Sequence, residues 1–180
     1  IALKKLGISV DEYFATEIKP SAIKVTKDNF QNTKYLGDLT LLTSEDLKQL
    51  GDIDLFISGT PCKDFSQANK VRLGLKGEKS SLFYNFVDAL NVVKPKYFFF
   101  ENVKMNKEDM DTISETLGVQ PVRVNSKVVS GSLRDRFYWT NIPFMGDLSD
   151  KEIKLQDVLD SGWTDRDKAR CLLESDSRPL

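Results

Sequence analysis

The sequence predicts an open α/β domain, with a doubly wound, mostly parallel sheet that ends in an antiparallel hairpin. Three observations predict it. Short β-prone apolar runs alternate with helical stretches from residue 12 to residue 118, the order expected of βαβ units. One run, "KYFFF", is apolar without alternation, which suits a strand buried on both faces. Near the end two strand-like runs, "VRVNSKVV" and "DRFYWTNI", are joined by a link too short for a crossover, so they can pair only antiparallel.

The elements follow in order. "IALKKLG" is helix-like, with no strand before it. "EYFATEI" (12–18) reads as a strand and "SAIKVTKDNF" (21–30) as a helix. "TKYLGDL" (33–39) is a short strand, and "SEDLKQL" (44–50) one or two helical turns with Ser44 as N-cap. "DIDLFISG" (52–59) is a strand. "SSLFYNFVDALNVV" (80–93) is an amphipathic helix, with Leu82, Phe86, Ala89, Leu90 and Val93 at helical spacing. "KYFFFENV" (96–103) is a strand of the core, and "EDMDTISETLG" (108–118) a helix closed by Gly118. The hairpin follows, its Phe137, Tyr138 and Trp139 expected to pack rather than to stack on a ligand. Residues 1–145 form one expected domain and 146–180 a further segment; the chain reads as truncated at both ends.

Composition narrows the function. With 180 residues the chain can bury a substantial core. No apolar run approaches the ~20 residues of a membrane span, and no secretory signal is visible. The 2 cysteines, Cys62 and Cys171, make no disulfide framework, and the expected setting is intracellular. With 0 histidines, most metal sites and every Ser–His or Cys–His catalytic pair are excluded, so no metal is expected. The net charge of −1 gives the whole chain no general affinity for nucleic acid. Local charge differs: "KVRLGLKGEK" carries Lys70, Arg72, Lys76 and Lys79 against Glu78, with Gly74 and Gly77 as hinges.

In a doubly wound sheet, ligands bind beyond the carboxyl ends of the strands. Glu17, Asp38, Cys62 and Glu101 all fall at such ends. Singly, each has a plain structural reading: a capping acid, a turn former, a small buried residue, the start of a loop. Together they resemble the DNA cytosine-5 methyltransferases. "GTPCKDFS" looks like that family's Pro-Cys nucleophile motif, and "FFFENV" like its Glu-Asn-Val motif. "VSGSLRDRFYWTNIP" looks like its Arg-x-Arg segment, with Arg134 and Arg136 in the paired positions. "ATEIKPSA" and "YLGDL" match the acidic positions after its second and third strands. The resemblance runs from about Ile1 to Pro143, and its wording is closest to the de novo branch. Lys63 and Ser132 depart from the family's common Gln at both positions, where the de novo branch also varies.

The resemblance implies a Rossmann-like domain that transfers a methyl group from S-adenosylmethionine, releasing S-adenosylhomocysteine, to carbon 5 of cytosine in double-stranded DNA. Carbon 5 is a poor nucleophile, and a thiolate adding at carbon 6 makes the ring an enamine that can take the methyl. Cys62 would be that thiolate. A free thiol has a pKa of about 8.5 and needs a nearby positive charge to ionise, which Arg134 or Arg136 would help supply. Glu101, protonated when the base is bound, would engage ring nitrogen 3. The two arginines would hold the base carbonyl, Glu101 or a phosphate through forked donors.

Glu17 would accept the ribose hydroxyls of the cofactor, Ile18 would lie against its adenine, Asp38 would accept the adenine amino group, and Leu82 would line the methionine side. The family's glycine-rich first turn is expected upstream of Ile1. A cytosine must leave the duplex to reach such a pocket. Pro61, Lys63 and Asn102 would then face substrate, and the loop carrying Lys70 and Arg72 would close over DNA. Residues from about Gly146 resemble the lead-in to a target-recognition region. The alternatives left open are a tRNA cytosine-5 methyltransferase, a non-catalytic binding paralogue, and a fragment unable to turn over. A cytoplasmic restriction or phage setting is the expected one.

Overall fold

The computed structural model describes residues 1–60 and 82–171. The chain opens with a short helix α1 (Ala2–Lys5) and strand β1 (Tyr13–Thr16), followed by α2 (Pro20–Asn29), which begins with proline at a position that needs no N–H donor. Strand β2 (Thr33–Gly37) pairs parallel with β1, with Thr16 opposite Gly37 after a register shift. Gly37 holds φ at +82°, a left-handed turn that carries the chain into Asp38.

Helix α3 (Ser44–Lys48) starts one residue earlier than the sequence suggests. Thr43, not Ser44, is the N-cap, because Thr43 completes a capping box with Asp46: Asp46 N–H donates to Thr43 Oγ1 at 3.2 Å and Thr43 N–H to Asp46 Oδ2 at 2.9 Å. The Thr43 hydroxyl, donating to Asp46 Oδ2 at 2.7 Å, and then the Thr43 N–H hold the Asp46 carboxyl below its ordinary value.

Strands β3 (Leu55–Ser58) and β4 (Tyr97–Asn102) pair parallel, with helix α4 (Leu82–Val93) between them in sequence. Helix α5 (Lys107–Leu117) follows, capped by Asn106 and closed by Gly118 in the left-handed conformation, φ 68°. Strand β5 (Val122–Asn125), the two-residue strand β6 (Ser132–Leu133) and β7 (Asp135–Thr140) come next. β7 inserts between β4 and β5 and runs antiparallel to both, giving the order β3-β4-β7-β5. This is the expected mixed α/β architecture with its closing antiparallel pair. The last described strand, β8 (Ala169–Arg170), returns to pair parallel with β6.

The core sits on one face of the four-stranded sheet. Phe83 and Phe86 of α4, Phe100 of β4, Ile113 of α5 and Trp139 of β7 are completely buried. Phe86 stacks on Phe100 with ring centroids 5.2 Å apart, and Trp139 lies 5.8 Å from Phe100. Burial of each such side chain contributes about 1.5–3 kcal/mol. The indole N–H of Trp139 donates to Ser114 Oγ at 2.9 Å, and that hydroxyl donates to the Met110 carbonyl, so the polar edge of the ring is satisfied inside the core.

Two expectations change here. Phe83, absent from the expected helical face, is more deeply buried than Leu82, Leu90 or Val93. Strand β4 is not buried on both faces. Phe98, Phe100 and Asn102 point into the core, whereas Tyr97, Phe99 and Glu101 lie on a more open face, because α4 and α5 both pack on the same side. The second face is therefore free to carry polar chemistry. The turn Leu39–Leu41 and helix α3 both pack on α4, which ties the β1–β2 pair to the larger sheet. Among the described residues, no helix is long and apolar enough to cross a membrane.

Candidate active site

Glu101 anchors the site. It lies next to last in β4, on the open face, where strand alternation places it opposite Tyr138 of β7. Arg136, two residues earlier on β7 and so on the same face, brings Nε to 2.7 Å from Glu101 Oε1. Arg134, just before β7, places Nη2 at 3.2 Å from that same oxygen. Arg136 also donates through Nη1 to the Asp135 carbonyl at 2.8 Å, which fixes its fork. Antiparallel pairing of β4 and β7 is what brings the acid and the arginines together from distant parts of the chain.

The other carboxylate oxygen, Oε2, faces Gly59. A Cβ built on Gly59 would lie 3.3 Å from it, tighter than an ordinary contact, so the strand end that leads to Thr60, Pro61 and Cys62 approaches Glu101 closely because residue 59 has no side chain. Cys62, Pro61, Lys63, Lys70 and Arg72 lie outside the described residues. What the structure does place is the entry to them, at the carboxyl end of β3 and beside Glu101.

Asn102 is a correction. Expected to face substrate, it is 2% exposed and points into the core side of β4. Its side-chain amide donates to Thr60 Oγ1 at 3.4 Å and its oxygen accepts the Val103 N–H at 2.8 Å. It joins the ends of β3 and β4, and so acts on the site through the backbone that carries Thr60. The preference for a buried polar residue there follows from the need to satisfy strand ends that the ladder no longer reaches.

Glu17 and Asp38 form a second cluster at the carboxyl ends of β1 and β2. The Glu17 N–H donates to Gly37 O at 3.0 Å, which sets the two acids side by side on neighbouring parallel strands. Glu17 Oε1 accepts the N–H groups of Ile18 and Lys19, both at 2.8 Å, and Asp38 Oδ1 accepts from Thr40 N and Oγ1 at 2.9 and 2.8 Å. Each acid thus orders its own turn with one oxygen. Ile18 is 68% exposed, an apolar surface beside the two carboxylates. Leu82 opens α4 and is half-buried. Among the described residues, no group of His, Cys, Asp and Glu could hold a metal ion.

Tyr138 is a site neighbour that motif reasoning missed. The i, i+2 step from Arg136 along a strand would have found Tyr138. Burial, and then the Glu101 charge, push its phenol above the ordinary tyrosine value.

Comparison with known proteins decides the family. The family model described as C-5 cytosine-specific DNA methylase matches residues 1–118. The chain belongs to that family. A type II methyltransferase of Neisseria gonorrhoeae, M.NgoBV, is 31% identical over 89% of this chain, and one of Neisseria lactamica, M.NlaIV, has the same identity and coverage. An orphan methyltransferase of Bacillus phage rho11s, M.Rho11sI, is 34% identical over 57% of the chain. The chain spans 42% of the length of each Neisseria relative. The two arginines that meet Glu101 lie beyond the matched 1–118 segment, so their pairing with a C-5 cytosine methylase strand is a statement of the structure alone.

Proposed function

We propose that the protein of which this chain is part methylates carbon 5 of cytosine in double-stranded DNA, with Cys62 adding to carbon 6 of a base flipped out of the duplex. The observation that carries this reading is the convergence of Arg134 and Arg136 on Glu101 beside Gly59, the strand end that leads to Pro61 and Cys62. A carboxyl group held in this way, with one oxygen engaged by guanidiniums and the other turned toward the nucleophile's strand, is suited to grip the polar edge of a pyrimidine while a thiolate attacks its ring.

Glu101 orients the base and donates to ring nitrogen 3. Arg136, and Arg134 less tightly, fix the carboxyl and can meet the base carbonyl. Pro61, whose ring restricts φ, would limit the backbone freedom just before the nucleophile. Asn102 ties Thr60 to β4. Lys63, Lys70 and Arg72 are assigned to DNA, whose phosphates are the natural partners of a local cluster of positive charge.

The second cluster fits S-adenosylmethionine. Two adjacent carboxylates suit hydroxyl and amino donors, and exposed Ile18 suits an aromatic ring. Glu17 would hold the ribose, Asp38 the adenine amino group, and Leu82 the methionine side. When bound, the cofactor supplies an electrophilic methyl group on sulfonium.

The deciding experiment uses the full-length protein, cofactor and duplex DNA containing 5-fluorocytosine, which cannot lose a proton from carbon 5 and so traps the adduct. Wild-type protein should give a denaturation-resistant protein–DNA band and Cys62→Ala none. A band that persists in Cys62→Ala overturns the nucleophile; trapping on fluorinated tRNA but not on DNA overturns the substrate.

A further inference from the structure

We propose that Lys168 is a positioning residue for Arg134, and that the segment from Lys151 to Cys171 is a clamp that aims this arginine at Glu101. The inference rests on the reading that Glu101 and its arginines form the base-binding site. Its own support lies elsewhere in the molecule.

Arg136 is built into β7, but Arg134 is not: it leaves a loop, residues 126–134, whose shape decides where the guanidinium goes. That loop is knotted by serines. Ser126 Oγ donates to the Ser132 carbonyl at 2.8 Å, Ser130 Oγ to the Ser126 carbonyl at 2.9 Å, and the Ser126 N–H to the Arg134 carbonyl at 2.9 Å.

The clamp closes over this knot at several points. Lys151 N–H donates to Val128 O at 2.8 Å and Ala169 N–H to Gly131 O at 2.7 Å. β8 pairs with β6, setting Arg170 opposite Leu133, the residue before Arg134. Cys171 Sγ donates to the Leu133 carbonyl at 2.9 Å, which gives the second cysteine a structural task.

Lys168 binds the two parts together. Its ammonium donates to Lys127 O at 2.7 Å, to Ser130 O at 3.1 Å and to Ile153 O, so its three donors meet three carbonyls, two in the loop and one in the clamp. No carboxylate shares this ammonium among the described ion pairs, so its positive charge is used on backbone oxygens. Gly131 allows the close approach: a Cβ there would lie 3.0 Å from Leu155 Cα, Lys154 O and Val158 Cγ2, and two of those three atoms are backbone that cannot swing aside. A charged group with every donor matched, and a glycine against backbone, are two independent signs that loop and clamp have one relative position.

The consequence is specific to Arg134. Its contact with Glu101 is the longer of the two and its side chain is 50% exposed, so it has little packing of its own to hold it. Loosening the clamp should release Arg134 and leave Arg136 in place.

The test measures DNA methylation by the full-length protein together with amide hydrogen exchange. Lys168→Met, which keeps the length and removes the donors, should lower kcat about tenfold with KM for the cofactor within about twofold, the size of effect seen when a group orienting a functional ligand is lost. Gly131→Ala should act in the same direction. In an Arg134→Ala background either substitution should cost less than about twofold further, since the arm they position is gone. Amides across 126–134 should exchange faster in both variants while those of α5 do not change. Losses that multiply in the double variants, or an unchanged kcat alongside loosened exchange, overturn the proposal. If the wild-type protein binds DNA without methylating it, the functional reading fails instead. The exchange result then decides the clamp by itself: protection kept across 126–134 in Lys168→Met overturns it, and protection lost there alone supports it.

Discussion

Glu101 receives Arg136 at 2.7 Å and Arg134 at 3.2 Å on one oxygen, and the two arginines are not equivalent. Arg136 is 19% exposed and locked by a second bond to backbone; Arg134 is half in solvent. A charge-assisted bond to a largely buried carboxylate contributes about 1.5–3 kcal/mol, whereas a solvated pair contributes less than about 1. Arg136→Ala should therefore lower the free energy of urea unfolding by about 1–3 kcal/mol and Arg134→Ala by under about 1 kcal/mol. Equal losses would show that the geometry does not rank them. Glu101→Gln keeps the shape and can still donate a hydrogen bond, but it has no acidic proton to transfer. In the full-length protein it should slow methylation roughly 10²–10⁴-fold, the usual contribution of a positioned acid, without changing cofactor affinity.

At the scale of elements, the ends of strands and helices carry most of the design. An acid follows β1 and another follows β2, the glycine that approaches Glu101 follows β3, and β4 ends in Glu101 and Asn102. Helix α4 ends less well. Lys94, the residue after Val93, sits at φ 48°, in the left-handed region that costs a side-chain-bearing residue roughly 1–2 kcal/mol. Helices commonly place glycine there. Lys94→Gly should raise stability by up to about 1 kcal/mol once the greater freedom of glycine in the unfolded chain is set against the relieved strain. An unchanged or lower urea midpoint would count against strain at this helix end.

Over the whole molecule, stability should depend on pH through the pairing of β5 with β7. Arg123 donates through Nε and Nη2 to both oxygens of Asp135, at 3.0 and 2.6 Å, adding a side-chain link to the backbone ladder between the two strands. The guanidinium holds the Asp135 carboxyl below its ordinary value, outweighing the effect of burial. A depressed carboxyl contributes stability that is present above its unfolded pKa, about 3.9, and is lost as pH falls through the folded value. Asp135→Asn should therefore unfold at lower urea than wild type at pH 7, with a gap that closes as pH drops below about 4. A gap of constant size down to pH 2 would trace the loss to shape and not to charge.

Much of this protein was legible in one dimension. Alternating periods of apolar residues determined the order of strands and helices, since each element must bury a face and the spacing of side chains differs between them. Short motifs pointed to the family and to the residue types of the proposed site, because the chemistry proposed for it needs a thiol, an acid and forked cations whatever surrounds them. Periodicity could not say which face of β4 would be covered. Three adjacent phenylalanines read as core on both sides, and only the packing of α4 and α5 on one side left Glu101 and its arginines on the other. Nor could motif wording separate Asn102 from Glu101, adjacent residues that strand geometry sends to opposite faces, one to hold Thr60 and one to meet the two arginines. The joining of residues 126–134 to 151–171 through Lys168 was likewise invisible in sequence, since a lysine that binds three carbonyls is written no differently from one in water. Sequence alone determined the chemical groups and their order along the chain, because those depend on local spacing. Tertiary structure decided which groups face one another, because that depends on surfaces contributed by residues far apart in the chain.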